Sequence, residues 1–336
     1  MLAFIVRRII AMAGVLVGVG ILTFMLSHVV PADPAVLLAG GPRATPAEIA
    51  AVRHRLGLDQ PLIVQFVSYA IGLLHGDLGT SITTQHAVLS DFGLYFPATV
   101  ELALTAWILA AVVGIPLGVI SAVHRDRLPD HVTRVLAVSS VAMPLFWLAI
   151  LLQLVFYGQL GLLPVGERID GAVGVPPRVT GLYTVDSLLH GNLAQFFSSL
   201  RHLILPASTL AFGSLAGLVR VGRASMLEAL SQDYVRTARA KGLPRRRVIY
   251  GHALRNALIP TVTLLSLGLG GLLSGAFLIE IVFSWPGIGG YSVQAVQTFD
   301  YQPIVSITLI IAAIYVFVNL VADVLYAVLD PRIRYS

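Results

Sequence analysis

Long apolar stretches alternate with shorter polar ones along the chain. Six stretches are long and apolar enough to cross a bilayer as helices: residues 9–29, 99–123, 135–157, 204–226, 258–282 and 304–328. A helix in lipid satisfies its own backbone polar groups, so the pattern predicts an all-α integral membrane protein with six transmembrane helices. The first stretch follows Arg7 and Arg8, as a secretion signal would. Its apolar run is too long for a signal core and lacks a small-residue cleavage site, so it is expected to remain as an anchor.

Two connections are long. In residues 31–97, Thr45-Pro46-Ala47-Glu48 reads as a capping box with Pro at the first helical position, and Gly57 suits the end of that helix. The apolar segment 61–74 is too short to span and is expected to lie along the membrane interface. Residues 158–203 are rich in Gly and Pro and then predict a short helix near 186–200. Long loops in a compact protein are often functional. The whole, residues 1–336, reads as a single transmembrane domain.

Composition agrees with a membrane protein. Mean hydropathy is +0.85 and 12% of residues are charged, against roughly 25% in a soluble domain. The net charge of +5 does not point to nucleic acid, because the basic residues lie beside apolar spans. Arg7 and Arg8, then Arg125, Arg127 and Arg134, then a basic segment at 227–257, then Arg332 and Arg334 all fall on one side of six spans. Basic residues mark the cytoplasmic side, so both termini are expected in the cytoplasm. Residues 31–97 and 158–203 are then extracytoplasmic.

Several chemistries are excluded. The chain has no Cys, which rules out disulfides and thiolate metal sites. No His-Glu-x-x-His or Gly-x-Ser-x-Gly pattern occurs, so neither a metalloprotease nor a serine hydrolase is supported. Lys241 is the only lysine and Gly242 follows it, whereas a P-loop needs Lys before Ser or Thr. No resident cofactor is expected, and any ATP and Mg must be bound by another subunit.

The basic segment has a grammar of its own. Asp233 can cap a short helix, Gly242 suits the left-handed position that ends it, and Pro244 can open a second. Topology alone needs a few charges, not two capped helices. Tyr234-Val235-Arg236-Thr237-Ala238-Arg239-Ala240-Lys241-Gly242 and His252-Ala253-Leu254-Arg255-Asn256-Ala257 resemble the cytoplasmic "EAA" loop of binding-protein-dependent ABC transporter permeases. The general motif places Glu six residues before the Gly; here that position is Arg236, which favours the dipeptide/oligopeptide and nickel branch over the sugar branch. Further landmarks of that branch run from Leu56-Gly57-Leu58-Asp59-Gln60-Pro61 and Gly76-Asp77-Leu78-Gly79-Thr80-Ser81 to Glu280–Gly289, Asp300-Tyr301-Gln302-Pro303 and Asp323–Arg332. The long first loop is similar to that of B-type subunits of dipeptide permeases.

The resemblance implies a type I importer fold and a fixed set of partners. These are a second, non-identical permease subunit, two ATP-binding subunits, an extracytoplasmic peptide-binding protein and membrane lipid, with no nucleic acid. It assigns Asp233, Tyr234, Ala238, Lys241, Gly242 and Arg245 to coupling with the ATPase. Glu280, Trp285 and Asp300 are candidates for an outer gate or receptor contact, with a carboxylate bonded to local backbone as the other reading of Glu280. Glu101, near a span end, is expected to be solvated or capping, and Gln153 to bond between helices. Gly114-x-x-x-Gly118, Gly213-x-x-x-Gly217 and Gly271-x-x-x-Gly275 fit close helix packing, as does Gly268. The alternative is a secondary transporter driven by an ion gradient, which usually shows buried acids, broken helices and repeated halves.

Overall fold

The structure, a computed structural model, describes residues 2–29, 35–36, 39–55 and 57–329. The landmark at Asp330–Arg332, Arg334 and the side chain of Asp323 lie outside what is described. Among the described residues the chain is helical, and the one extended pairing is an isolated bridge between Thr80 and Ala87.

Five helices are long and apolar enough to span: Arg7–Met25, Val88–Val123, Leu193–Ser231, Arg247–Leu272 and Tyr301–Val321. A bent pair, Leu128–Ala142 with Leu145–Gln159, makes a sixth if counted as one span. The elements in chain order are α1 (Leu2–Val29), α2 (Pro46–Arg55), α3 (Leu62–Leu74), α4 (Val88–Val123), α5 (Leu128–Ala142) and α6 (Leu145–Leu152). They continue with α7 (Tyr183–Leu189), α8 (Leu193–Ser231), α9 (Asp233–Ala240), α10 (Leu254–Gly275), α11 (Phe277–Val282), α12 (Ile288–Gln297) and α13 (Tyr301–Leu329).

The expected span boundaries need four corrections. The second span begins at Val88, not 99; Pro97 and Pro116 both sit inside this 36-residue helix. The third is not straight but bends by 109°, because Met143 is held extended (ψ 124°) before Pro144, and the second arm continues as a π turn over Gln153–Gln159. The fourth starts at Leu193, where the Asn192 side chain accepts the Gln195 amide at 3.1 Å, so it absorbs most of the short helix expected at 186–200. The fifth stops at Gly275, and Phe277–Val282 forms a separate short helix.

The chain divides into two compact units. The first holds residues 1–96 and 290–317. Its capping box forms as expected: the Thr45 amide donates to Glu48 at 2.7 Å and the Glu48 amide to Thr45 Oγ1 at 3.3 Å. Helix α3 packs on α1 through Phe66 against Phe24, edge to face at 5.2 Å, and Tyr69 hydroxyl meets Thr23 hydroxyl at 3.3 Å. The landmarks at 76–81 and 300–303 turn out to be one structure. Gln302 Nε2 and Ser306 Oγ both donate to the Leu78 carbonyl (3.0 and 2.7 Å). A Cβ at Gly79 would collide with Gln302, and φ there is +76°, so only glycine fits.

The second unit holds residues 97–289 and 318–336. One buried cluster joins Ala98, Leu102, Leu203, Leu210, Ile279, Phe283 and Trp285 of α4, α8, α11 and the turn after α11. Another joins Val119, Met226, Ala229, Val235, Ala238, Val248 and Ile249. Burying side chains of this size is worth roughly 1.5–3 kcal/mol each. Helices α4 and α8 approach to backbone contact: a Cβ on Gly118 would lie 3.3 Å from Gly222 and Arg223 main-chain atoms, and one on Gly114 3.0 Å from Leu218. Gly213 and Gly217 face Leu145 and Leu264. Gly268 and Gly271 differ, since a Cβ at either would meet nothing within 4 Å. Close packing within this chain does not account for those two.

Candidate functional site

The basic segment is built on the second cluster. Helix α8 ends at Ser231, and Gln232 turns the chain extended (ψ 152°) before α9 begins. Gln232, not Asp233, occupies the capping position. Asp233 is the first helical residue, its carboxylate 3.3 Å from Arg236 Nη1 with both groups exposed. A negative charge in the first turn still complements the helix dipole. Val235 and Ala238, three apart, form the buried face of α9 against Val248 and Ile249. Tyr234, Arg236, Thr237 and Arg239 point outward.

Gly242 ends this helix as the sequence predicts. Its φ is +73°, its amide donates to Arg239 carbonyl at 2.9 Å, and the Leu243 amide donates to Ala238 carbonyl at 3.3 Å. These two bonds define a Schellman motif, and Leu243 supplies the accompanying apolar contact with the cluster. Pro244 then opens the second helix: its carbonyl accepts the Val248 amide at 3.1 Å. A π turn over Arg247–Ala253 leads directly into α10. Such turns are frequent at functional sites.

The assigned residues therefore separate into two groups. Asp233, Tyr234, Lys241, Gly242 and Arg245 lie together on an exposed surface. Ala238 does not join it; it is 6% exposed and anchors the underside. No ion pair involves Lys241 or Arg245 among the described residues, so both charges face outward.

Glu280 and Trp285 come together in the second unit. Glu280 is 1% exposed and accepts the Thr99 hydroxyl and the Gly289 amide, both at 2.6 Å. Thr99 Oγ1 in turn accepts the Ile288 amide at 2.9 Å. A Cβ on Gly287 or Gly289 would strike the Glu280 carboxylate, which explains both glycines. Trp285 donates its indole N–H to the Ala98 carbonyl at 2.8 Å. This geometry matches the reading of Glu280 as a carboxylate that fixes the turn after α11. Asp300 belongs to the other unit, where it accepts the Ser81 hydroxyl (2.6 Å) and the Thr83 amide (2.9 Å).

Two buried groups escaped the sequence reading. Glu101 is not solvated. It is 4% exposed, pairs with Arg168 at 2.5 Å and accepts the Thr184 amide and hydroxyl at the start of α7. The Arg168 guanidinium also lies 3.6 Å over the Tyr183 ring. The other group is Asp130, fully buried and held by Arg223 through Nε and Nη2, both at 2.9 Å. An arginine inside the apolar stretch 204–226, near its end, was the available signal. Gln153 does bond between elements, donating to the Val165 and Val282 carbonyls (2.8 and 3.0 Å). In the long connection, burial pushes the Asp186 carboxyl up. Hydrogen bonds from Thr180, Val179 and Gly181 outweigh it and hold the group below its ordinary value.

Among the described residues no three His, Cys, Asp or Glu converge as a metal site. A set of apolar helices long enough to span, carrying an exposed basic segment, defines an integral membrane protein. The chain belongs to the family of binding-protein-dependent transport system inner membrane components. That family's model matches residues 114–335, and the model of its N-terminal region matches 1–103. The chain is 50% identical over 319 residues (95% of it, 94% of the relative) to a probable D,D-dipeptide transport system permease protein, DdpB, of Escherichia coli K12. It is 43% identical over its full length, and the relative's, to the di/tripeptide transport system permease protein DppB of Pseudomonas aeruginosa. It is 42% identical, again end to end on both sides, to the dipeptide transport system permease protein DppB of Escherichia coli K12. It is thus an ABC transporter permease subunit, a reading favoured over the secondary transporter.

Proposed function

We propose that the chain forms half of the pore of an ATP-driven importer of dipeptides or short oligopeptides in a bacterial inner membrane, with both termini cytoplasmic. A non-identical permease subunit forms the other half, two separate subunits bind ATP and Mg, and an extracytoplasmic binding protein delivers the peptide. The observation that carries this reading is the exposed surface of Asp233, Tyr234, Lys241, Gly242 and Arg245 on a helix whose underside is anchored by Val235 and Ala238. Relatives matched over their whole length, named for dipeptide transport, support the cargo.

The mechanism follows from that geometry. ATP binding closes the ATPase pair, and the segment from Asp233 to Arg247 moves with it as one piece, switching the side on which the pore opens. Ala238 holds the helix to its base. Glu280 and Trp285 brace the turn after α11 on the outer side, and Asp300 fixes the start of α13, so both act behind any receptor-facing surface. Purification from the native membrane in mild detergent, then reconstitution, tests the reading. Two P-loop subunits and a second permease should co-purify, and vesicles should take up Ala-Ala only with ATP and the binding protein. Uptake on a proton or sodium gradient by the chain alone would overturn it.

A further inference from the structure

We propose that the buried Asp130–Arg223 pair is a transmission joint that makes helix α5 move with the docking segment; the inference builds on the coupling role proposed above. Asp130 lies at the start of α5, the first arm of the bent span, and is fully buried. Five donor atoms from four residues converge on its carboxylate. Arg223 binds it through two nitrogens at 2.9 Å, the Ser121 hydroxyl of α4 donates at 2.5 Å, the Asp126 amide donates at 3.0 Å, and Arg134 Nε lies 3.7 Å away. A bidentate arginine–carboxylate pair fixes direction as well as distance.

Arg223 stands on α8 two turns before its end, and one residue, Gln232, separates that end from α9. Below the pair, Met226 and Ala229 of α8 share a buried cluster with Val235 and Ala238 of α9 and with Val119 of α4. Beside it, α4 meets α8 at backbone contact through Gly118. The docking segment, the end of α8 and the end of α4 therefore form one block, and Asp130 attaches α5 to it. The second arm of the bent span packs on an earlier stretch of α8, through Leu145 against Gly213, and its Ala149 lies in the other cluster. The two arms answer to different parts of the unit, and the break at Met143-Pro144 lies between them. Asp130 and Arg223 are positioning residues: they touch neither peptide nor nucleotide.

The test uses the assembled, reconstituted complex. The chain lacks cysteine, so spin labels at His131→Cys on α5 and Glu228→Cys on α8 are the only two it carries when it is labelled before assembly with cysteine-free partner subunits, and both sites are exposed. The joint predicts one narrow label distance that is the same with and without ATP. In Asp130→Asn the distribution should broaden, Ala-Ala import should fall at least tenfold, and ATP hydrolysis should stay within about twofold, so more ATP is spent per peptide. Gly118→Ala should reproduce this, because its new Cβ meets main chain at 3.3 Å, whereas Gly222→Ala, with its nearest neighbour at 3.6 Å, should behave like wild type. If Asp130→Asn does not assemble, Ser121→Ala carries the test, with import down two- to threefold at unchanged hydrolysis.

A wild-type distance that changes with nucleotide would overturn the joint. So would loss of import and hydrolysis in parallel with assembled complex, or equal effects of the two glycine variants. The distance is read on this chain whether or not peptide moves. A wild-type complex without ATP-dependent import would sink the importer reading and leave the distance result standing.

Discussion

The basic segment and the turn after α11 both set glycine beside charge, yet they use the two in opposite ways. In the docking segment the charges of Lys241 and Arg245 face outward, and Gly242 supplies a left-handed turn with open space around it. Near α11 the Glu280 charge is buried and bonded, and Gly287 and Gly289 are needed because a carboxylate fills the space a Cβ would take. One region invests little in stability and leaves its charges open to solvent. The other concentrates stability in groups that nothing outside can reach.

Substitutions should separate the two regions, with stability losses in the buried one and coupling losses in the exposed one. Arg168→Met should have the largest effect, about 3–5 kcal/mol, because it leaves Glu101 charged and buried without its partner. A thermal shift of the purified protein checks it, and an unchanged midpoint would remove the pair from the framework. Glu280→Ala should follow at about 1–3 kcal/mol, since the Thr99 hydroxyl and the Gly289 amide lose their acceptor.

Gly242→Val should cost about 1–2 kcal/mol locally, from backbone strain alone, because no neighbour crowds the site. The protein should insert, and its melting midpoint should drop by only a few degrees, while uptake falls and hydrolysis persists. Normal uptake by Gly242→Val would detach this turn from coupling. Lys241→Ala and Arg245→Ala should stay within about 0.5 kcal/mol of wild type in stability and instead weaken retention of the ATPase subunits during washing. The smallest effect concerns acid. The Asp186 carboxyl is held below its ordinary value, so its contribution is complete above the ordinary carboxylate range and is lost as pH falls through that range towards the lower folded value. The protection of the amides of residues 178–192, taken as the ratio of intrinsic to observed exchange rate at each pH, should therefore hold from pH 7 to 5 and fall only below about 4.

Much of this was legible because it is local. The capping box at Thr45 and Glu48, the Gly242 stop and the apolar spans each depend on neighbours a few residues away. What stayed hidden was set by distant partners. Asp130 and Arg223 are 93 residues apart in sequence, and Glu101 meets Arg168 across 67. Nothing near Met143-Pro144 says that an apolar run will bend rather than kink gently. Asp233 was misplaced by one position because Gln232 is an unusual residue to cap with, and the helix accepts it since its stability comes from Val235 and Ala238.

The exposed position of Lys241 also makes the molecule its own reporter. No other side chain in the sequence carries a primary amine, so an amine-reactive dye will mark one side chain of this subunit, on the surface expected to meet the ATPase, and any label on the α-amino terminus is told apart by peptide mapping. The rate of that labelling is a direct measure of how often the surface is uncovered, in detergent, in vesicles or during turnover, without changing a single residue.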